Sequence, residues 1–157
     1  MKNETGKSKY KLNFELVPDG CWGSNLRNVL RPTAWNAVRK VVLARAGGKC
    51  EICGAGGRLE AHERWEYDEA RGIQKLVGIE ALCRKCHETK HIGLAQLRGR
   101  GDAAEDWFMK VNGCSYAEMR SALGEANEEQ RRRNTVPQWT LDIGYLKEFF
   151  QNKAQNA

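Results

Sequence analysis

Six cysteines and three histidines carry most of the chemistry open to this chain. Four of the cysteines form two C-x2-C pairs, Cys50-Glu51-Ile52-Cys53 and Cys83-Arg84-Lys85-Cys86. A loop of that kind points two thiolates at one cation. Two such loops build a tetrahedral four-cysteine site, for which structural Zn²⁺ is the expected occupant. A redox C-x2-C motif needs no second pair. Cys21 and Cys114 stand alone and read as small buried hydrophobes. The histidines, His62, His87 and His91, fall within or beside the segment the cysteines bracket. His87 follows Cys86 directly. On a helix His87 and His91 share a face, so both imidazoles reach one cation. His62 precedes a returning strand, and a hairpin packed on that helix brings His62 to His87. Such a cluster can hold a second divalent ion or face a scissile phosphate. Taken singly, each histidine also has an ordinary reading as a strand, capping or surface residue.

These side chains must be positioned by the elements around them. Residues 1–10 are polar and lysine-rich, an arm. Tyr10 to Leu16 alternates apolar and polar residues, which predicts a strand, and Pro18-Asp19-Gly20 ends it. Pro32 suits a first helical turn. Trp35, Val38 and Val42 then recur at helical spacing as far as Ala46, and Gly47-Gly48 stops the helix. After the first cysteine pair, residues 58–63 predict a short strand, 65–72 a loop and 73–79 the returning strand. The second pair opens a helix from Arg84 to Leu97, broken by Gly99-Arg100-Gly101. Asp102 with Glu105 starts the next helix, and Ser115 with Glu118 forms a capping box for another that ends at Arg131-Arg132-Arg133. Pro137 interrupts the chain, and Leu141 to Phe150 packs back on the body. The expected class is α+β in three parts. Residues 1–48 form a basic strand-and-helix segment, 49–100 a zinc-binding ββα module and 101–157 a helical segment.

Residues 49–98 resemble the HNH endonucleases, the ββα-metal nucleases built on a zinc-stabilised treble clef. The match lies in Leu59-Glu60-Ala61-His62-Glu63 and in the string Gly78-Ile79-Glu80-Ala81-Leu82-Cys83-Arg84-Lys85-Cys86-His87, followed by Lys90-His91. The string from Trp65 and Tyr67-Asp68 to His91-Ile92-Gly93 is also similar to bacterial proteins of the HNH group. The resemblance implies that His62 is the general base, His87 a ligand of a catalytic cation and His91 an additional helix ligand. Two positions depart from the family's pattern. Ala61 stands where Asp or His is usual, and Gly78 where Asn is usual. A shifted register makes His62 the ligand and Glu63 the base, so that His62, His87 and His91 form a three-histidine site. Another recruits Glu60 or Asp68, and a third reading is that the nuclease site is lost. Mg²⁺, Mn²⁺, Ni²⁺ or Zn²⁺ would serve as the catalytic ion. A neutral imidazole accepts a proton near neutral pH, and a divalent cation stabilises charge growing on a phosphate.

Charge agrees with a polyanionic partner, and the resemblance implies that it is DNA. The net charge is +6, and the excess lies in residues 1–49, which carry ten basic and three acidic side chains. Arg31, Arg39, Lys40 and Arg45 surround the apolar stripe of the first long helix and are candidates for phosphate contact. The same halo also reads as a solvated face. With 41% hydrophobic and 29% charged residues the chain folds rather than staying disordered. The expectations are no membrane partner and a cytoplasmic location, because the first residues are polar and no long apolar run occurs. The alternative function is a catalytically inactive zinc module that binds nucleic acid or a protein partner, as a regulator or inhibitor would.

Overall fold

The computed structural model describes residues 8–155, with side chains through Asn152. It is a mixed α+β fold. A short 3-10 turn, Asp19–Cys21, precedes α1 (Leu26–Val29) and α2 (Pro32–Ala46). The hairpin β1 (Leu59–Asp68) and β2 (Ile73–Cys83) follows, then α3 (Arg84–Lys90), α4 (Ile92–Leu97), α5 (Gly101–Asn112) and α6 (Tyr116–Arg133). The chain closes with β3 (Thr140–Asp142) and α7 (Tyr145–Gln155). No helix among the described residues is long and apolar enough to cross a membrane.

The helical expectations carry the physics of their ends. Pro32 opens α2, and Gly47 closes it in the left-handed conformation at φ 60°. Ser115 and Glu118 form the reciprocal capping box of α6. Met119 and Leu123 face inward from α6 as expected.

Four expectations are corrected. The hairpin is longer than the sequence suggests: Trp65–Asp68 belongs to β1 rather than to a loop, and β2 runs on to Cys83. The ladder runs from Leu59↔Cys83 to Asp68↔Ile73, with a bulge between Arg64 and Trp65. Alternating acidic and aromatic residues there make a strand with one wet face. Tyr67 packs on Trp139 and under the Arg133 guanidinium, 4.6 Å from the ring centre. Residues 10–16 form no sheet strand. Leu12 and Phe14 are buried as the alternation requires, but the partners are helix ends. The Leu12 N–H donates to the Asn112 side-chain oxygen at 3.1 Å, and the Asn112 amide donates back to the Leu12 carbonyl at 2.9 Å. The expected helix from Arg84 to Leu97 breaks at His91 (φ −86°, ψ 49°). The cause is visible: the Glu15 N–H donates to the Lys90 carbonyl at 2.9 Å, taking an acceptor that a continuous helix would use itself. Last, β3 adds a parallel strand beside Ile73–Lys75 of β2, ahead of α7.

Two apolar clusters hold the elements. The first joins α2 (Trp35, Val38, Val42) to the hairpin through Leu76, Ile79 and Leu82, with Leu12, Leu26 and Leu146 from distant segments. The second joins Phe14 to α4, α5 and α6, and Phe14 stacks on Phe108 with ring centres 4.2 Å apart. Cys21 is buried as expected, whereas Cys114 is only half-buried.

Gly72 makes the hairpin turn and receives β3. Its φ is +64°, and a Cβ there would lie 2.4 Å from the Gln138 carbonyl oxygen. Its own carbonyl accepts from the Thr140 N–H at 2.7 Å. Gly72→Ala should therefore destabilise the protein by about 3 kcal/mol in urea unfolding. A loss below ~0.5 kcal/mol would show that the turn tolerates a side chain.

Candidate metal centre

The four paired cysteines meet where the hairpin becomes a helix. Cys50 and Cys53 lie on a tight loop closed by the Cys50 N–H to Ala55 carbonyl bond (2.9 Å), with Gly54 turning at φ 76°. Cys83 ends β2 and caps α3, and Cys86 sits in the first turn of that helix. All four sulfurs lie within 4.8 Å of one another, and Cys53 Sγ is 3.6 Å from Cys83 Sγ. A tetrahedron with Zn–S bonds of ~2.3 Å has edges of about 3.8 Å, so the cluster can hold a structural zinc. The thiols are free and N–H donors point at them: Ala55 at Cys53 (3.5 Å), Cys86 at Cys83 (3.5 Å) and the Trp107 indole at Cys86 (3.3 Å). Burial raises the Cys50 thiol, but backbone N–H groups of Cys53, Cys83 and Ile52 outweigh it and bring it down to about 7. Cys21 and Cys114 belong to neither metal cluster.

Arg45 buttresses this knuckle. Its guanidinium forks onto both oxygens of Glu51 (3.0 and 2.8 Å) and reaches the Ile79 carbonyl at 2.7 Å. Glu51 in turn accepts from the Ala81 N–H at 2.7 Å. Of the other basic residues on or beside α2, Arg31 and Lys40 are exposed and Arg39 is half-buried.

The three histidines converge. His62 comes from β1, His87 from α3 and His91 from the break between α3 and α4. One nitrogen from each lies within 4.8 Å of the others. The ring centres are 4.8 to 5.3 Å apart, and the planes cross at 71° to 77°. Two of the rings are bonded to carboxylates. Glu15 meets His62 Nε2 at 2.8 Å, and Glu60 meets His87 Nδ1. A neutral imidazole has one N–H and one lone pair, so each carboxylate fixes where the proton sits. His62 Nδ1 is left buried without a hydrogen-bond partner, on a side chain only 2% exposed. An orphaned buried acceptor is costly, and a cation shared with the other two rings would satisfy it. The donor set therefore fits a three-imidazole metal site.

The sequence missed Glu15, which lies 47 residues from its partner and outside the cysteine-bracketed segment; its only signal was an acid within an apolar–polar alternation. It also missed Lys90, which is 4% exposed and paired with Glu15 at 2.7 Å and Glu80 at 3.5 Å. Glu63 accepts from the Leu26 N–H at 2.8 Å, and so helps to start α1. Asp68 pairs with Arg71 at the far end of β1. Ala61 packs against the first apolar cluster, so this position serves the core. Gly78 has its own reason: a Cβ there would lie 2.9 Å from Arg64 Nε, whose guanidinium crosses the strand toward Glu80. His62, Glu63 and His91 all line one cleft of about 760 Å³, walled also by Trp22, Trp65 and Leu94.

No protein-family model, curated protein or solved structure matches this chain.

Burial, then the neighbouring His62 and His87, push His91 down to about 4; burial also lowers His87, against the pull of Glu60. Both folded values lie below the ordinary 6.5, so the unfolded chain binds more protons in that window. Stability is full above pH 6.5 and is lost as pH falls toward 4. Without an added second cation, the urea midpoint should drop across that range, and His91→Gln should flatten the drop. A midpoint unchanged between those pH values contradicts neutral, buried imidazoles.

Proposed function

We propose that this protein is a metal-dependent endonuclease of HNH type that hydrolyses phosphodiester bonds of DNA. In this reading the four cysteines hold Zn²⁺ in a treble-clef knuckle. His62, His87 and His91 hold a separate divalent ion: Mg²⁺, Mn²⁺, Ni²⁺ or Zn²⁺. The observation that carries it is the convergence of three imidazoles, one of which, His62, has a buried Nδ1 with no hydrogen-bond partner.

The ion would act as a Lewis acid on a phosphoryl oxygen and lower the pKa of water. The chain's own groups do the rest. Glu15 and Glu60 would keep protons on His62 Nε2 and His87 Nδ1, which leaves His62 Nδ1 and His87 Nε2 as the lone pairs for the ion. Glu63 lines the same cleft as His62 and His91 and is the general base for the attacking water. Its Oε1 is taken by Leu26, which leaves Oε2 for the proton. Arg31, Arg39 and Lys40 supply backbone phosphate contacts, and Arg45 stiffens the first cysteine loop through Glu51. A second reading has support in Ala61 and Glu63. With position 61 given to the core and Glu63 bonded to a backbone amide, the same scaffold suits a zinc module that binds nucleic acid or a protein without cutting.

Conversion of supercoiled plasmid to nicked or linear DNA separates the two. Metal-stripped, zinc-reloaded protein should cut on addition of a divalent ion. His87→Ala, retaining its zinc, should lose activity by at least about 100-fold, since it removes a ligand outright. Absence of cleavage with all four ions, from folded zinc-loaded protein, moves the assignment to the binding module.

A further inference from the structure

We propose that Glu15 is a positioning residue for the three-histidine centre: its carboxylate fixes the His62 tautomer, so the N-terminal segment completes the metal site. The inference rests on the three-histidine reading above. His62 has no solvent to choose its proton position, being 2% exposed. The Glu15 carboxylate, 2.8 Å from Nε2, accepts the N–H and leaves Nδ1 as the lone pair. That Nδ1 atom is the buried one without a partner.

Glu15 is itself held at two points by one residue. Lys90 Nζ donates to its second oxygen at 2.7 Å, and the Glu15 N–H donates to the Lys90 carbonyl at 2.9 Å. Lys90 stands between His87 and His91 in sequence. The segment that carries two ligands thus clamps the carboxylate that orients the third. Charges alternate outward from the ring: Glu15, Lys90, Glu80 (3.5 Å from Lys90) and Arg64 (3.8 Å from Glu80). This row stabilises a buried ammonium that would otherwise be costly. It also gives Glu15 one position, because moving it would leave Lys90 with Glu80 alone. The metal centre is therefore not contained within residues 49–100.

The test is a Co²⁺ titration of the full chain with zinc already on its cysteines, followed by calorimetry and visible absorption. Wild type should take up one further ion, and His87→Ala should not. Glu15→Gln keeps size and an acceptor oxygen but loses the charge. It should bind Co²⁺ about 10- to 100-fold more weakly and melt at a lower temperature, because Lys90 loses its nearer partner, while the cysteine-bound zinc is retained. Unchanged Co²⁺ affinity in Glu15→Gln overturns the inference and leaves the three-histidine site standing. Failure of wild type to bind a second ion overturns that site itself, and this inference with it. If Glu15→Gln does not fold, long-range ¹H–¹⁵N spectra of the wild-type histidine rings decide. The Nε2–H tautomer at His62 supports the role of Glu15, and the Nδ1–H tautomer overturns it.

Discussion

The junction between β2 and α3 governs the rest of the molecule. Cys83 ends the strand and caps the helix, and with Cys86 it meets the Cys50–Cys53 loop. Four sulfurs gathered on one cation would lock that corner and so set the angle between hairpin and helix. The angle matters because His62 rides on the hairpin, while His87 and His91 ride on and beyond the helix. Arg45 and Glu51 tie α2 and the first loop to backbone groups of β2. Trp107 brings α5 to the same corner through its indole N–H. A metal on the four sulfurs would fix the frame on which the imidazoles stand.

Buried charge supplies the second constraint. Lys90 is buried between the partly exposed carboxylates of Glu15 and Glu80, and its ammonium left unpaired would be strongly destabilising. Pairing Glu15 with Lys90 forces the N-terminal segment across the end of α3 and breaks that helix at His91. The break keeps the His91 N–H to His87 carbonyl bond, so the two imidazoles still face one centre. Phe14, next to Glu15, enters the second apolar cluster and stacks on Phe108, so packing and electrostatics hold the segment in the same place.

Much of this was legible in the sequence, and the rest had physical reasons to be hidden. The two C-x2-C pairs, the Pro32 start and Gly47 stop of α2 and the Ser115–Glu118 box are local signals, and each produces its element. The clustering of His62, His87 and His91 was also readable, because helical spacing and hairpin return are short-range geometry. What was hidden depends on distant partners. Glu15 looks like one acid in an alternating run until Lys90 and His62 meet it. Residues 65–68 look like a loop until β2 pairs with them and a bulge after Arg64 adjusts the register. The helix break follows from a carbonyl captured by the N-terminal segment. Arg45 reads as one of a basic halo, yet its fork is spent on Glu51. Gly78 looked like a missing motif residue, and the space it leaves is filled by Arg64.

In the proposed function, a sulfur site and a nitrogen site would separate folding from chemistry: the thiolates would hold the frame, and the imidazoles bonded to Glu15 and Glu60 would take a cation and its water. X-ray absorption at the metal edges of the cobalt- and zinc-loaded full chain tests this division most directly. The account predicts two metals per chain. One should have four sulfurs at about 2.3 Å, and the other imidazole nitrogens near 2.1 Å with oxygen completing the shell. A single metal per chain, bound by sulfur alone, would contradict it.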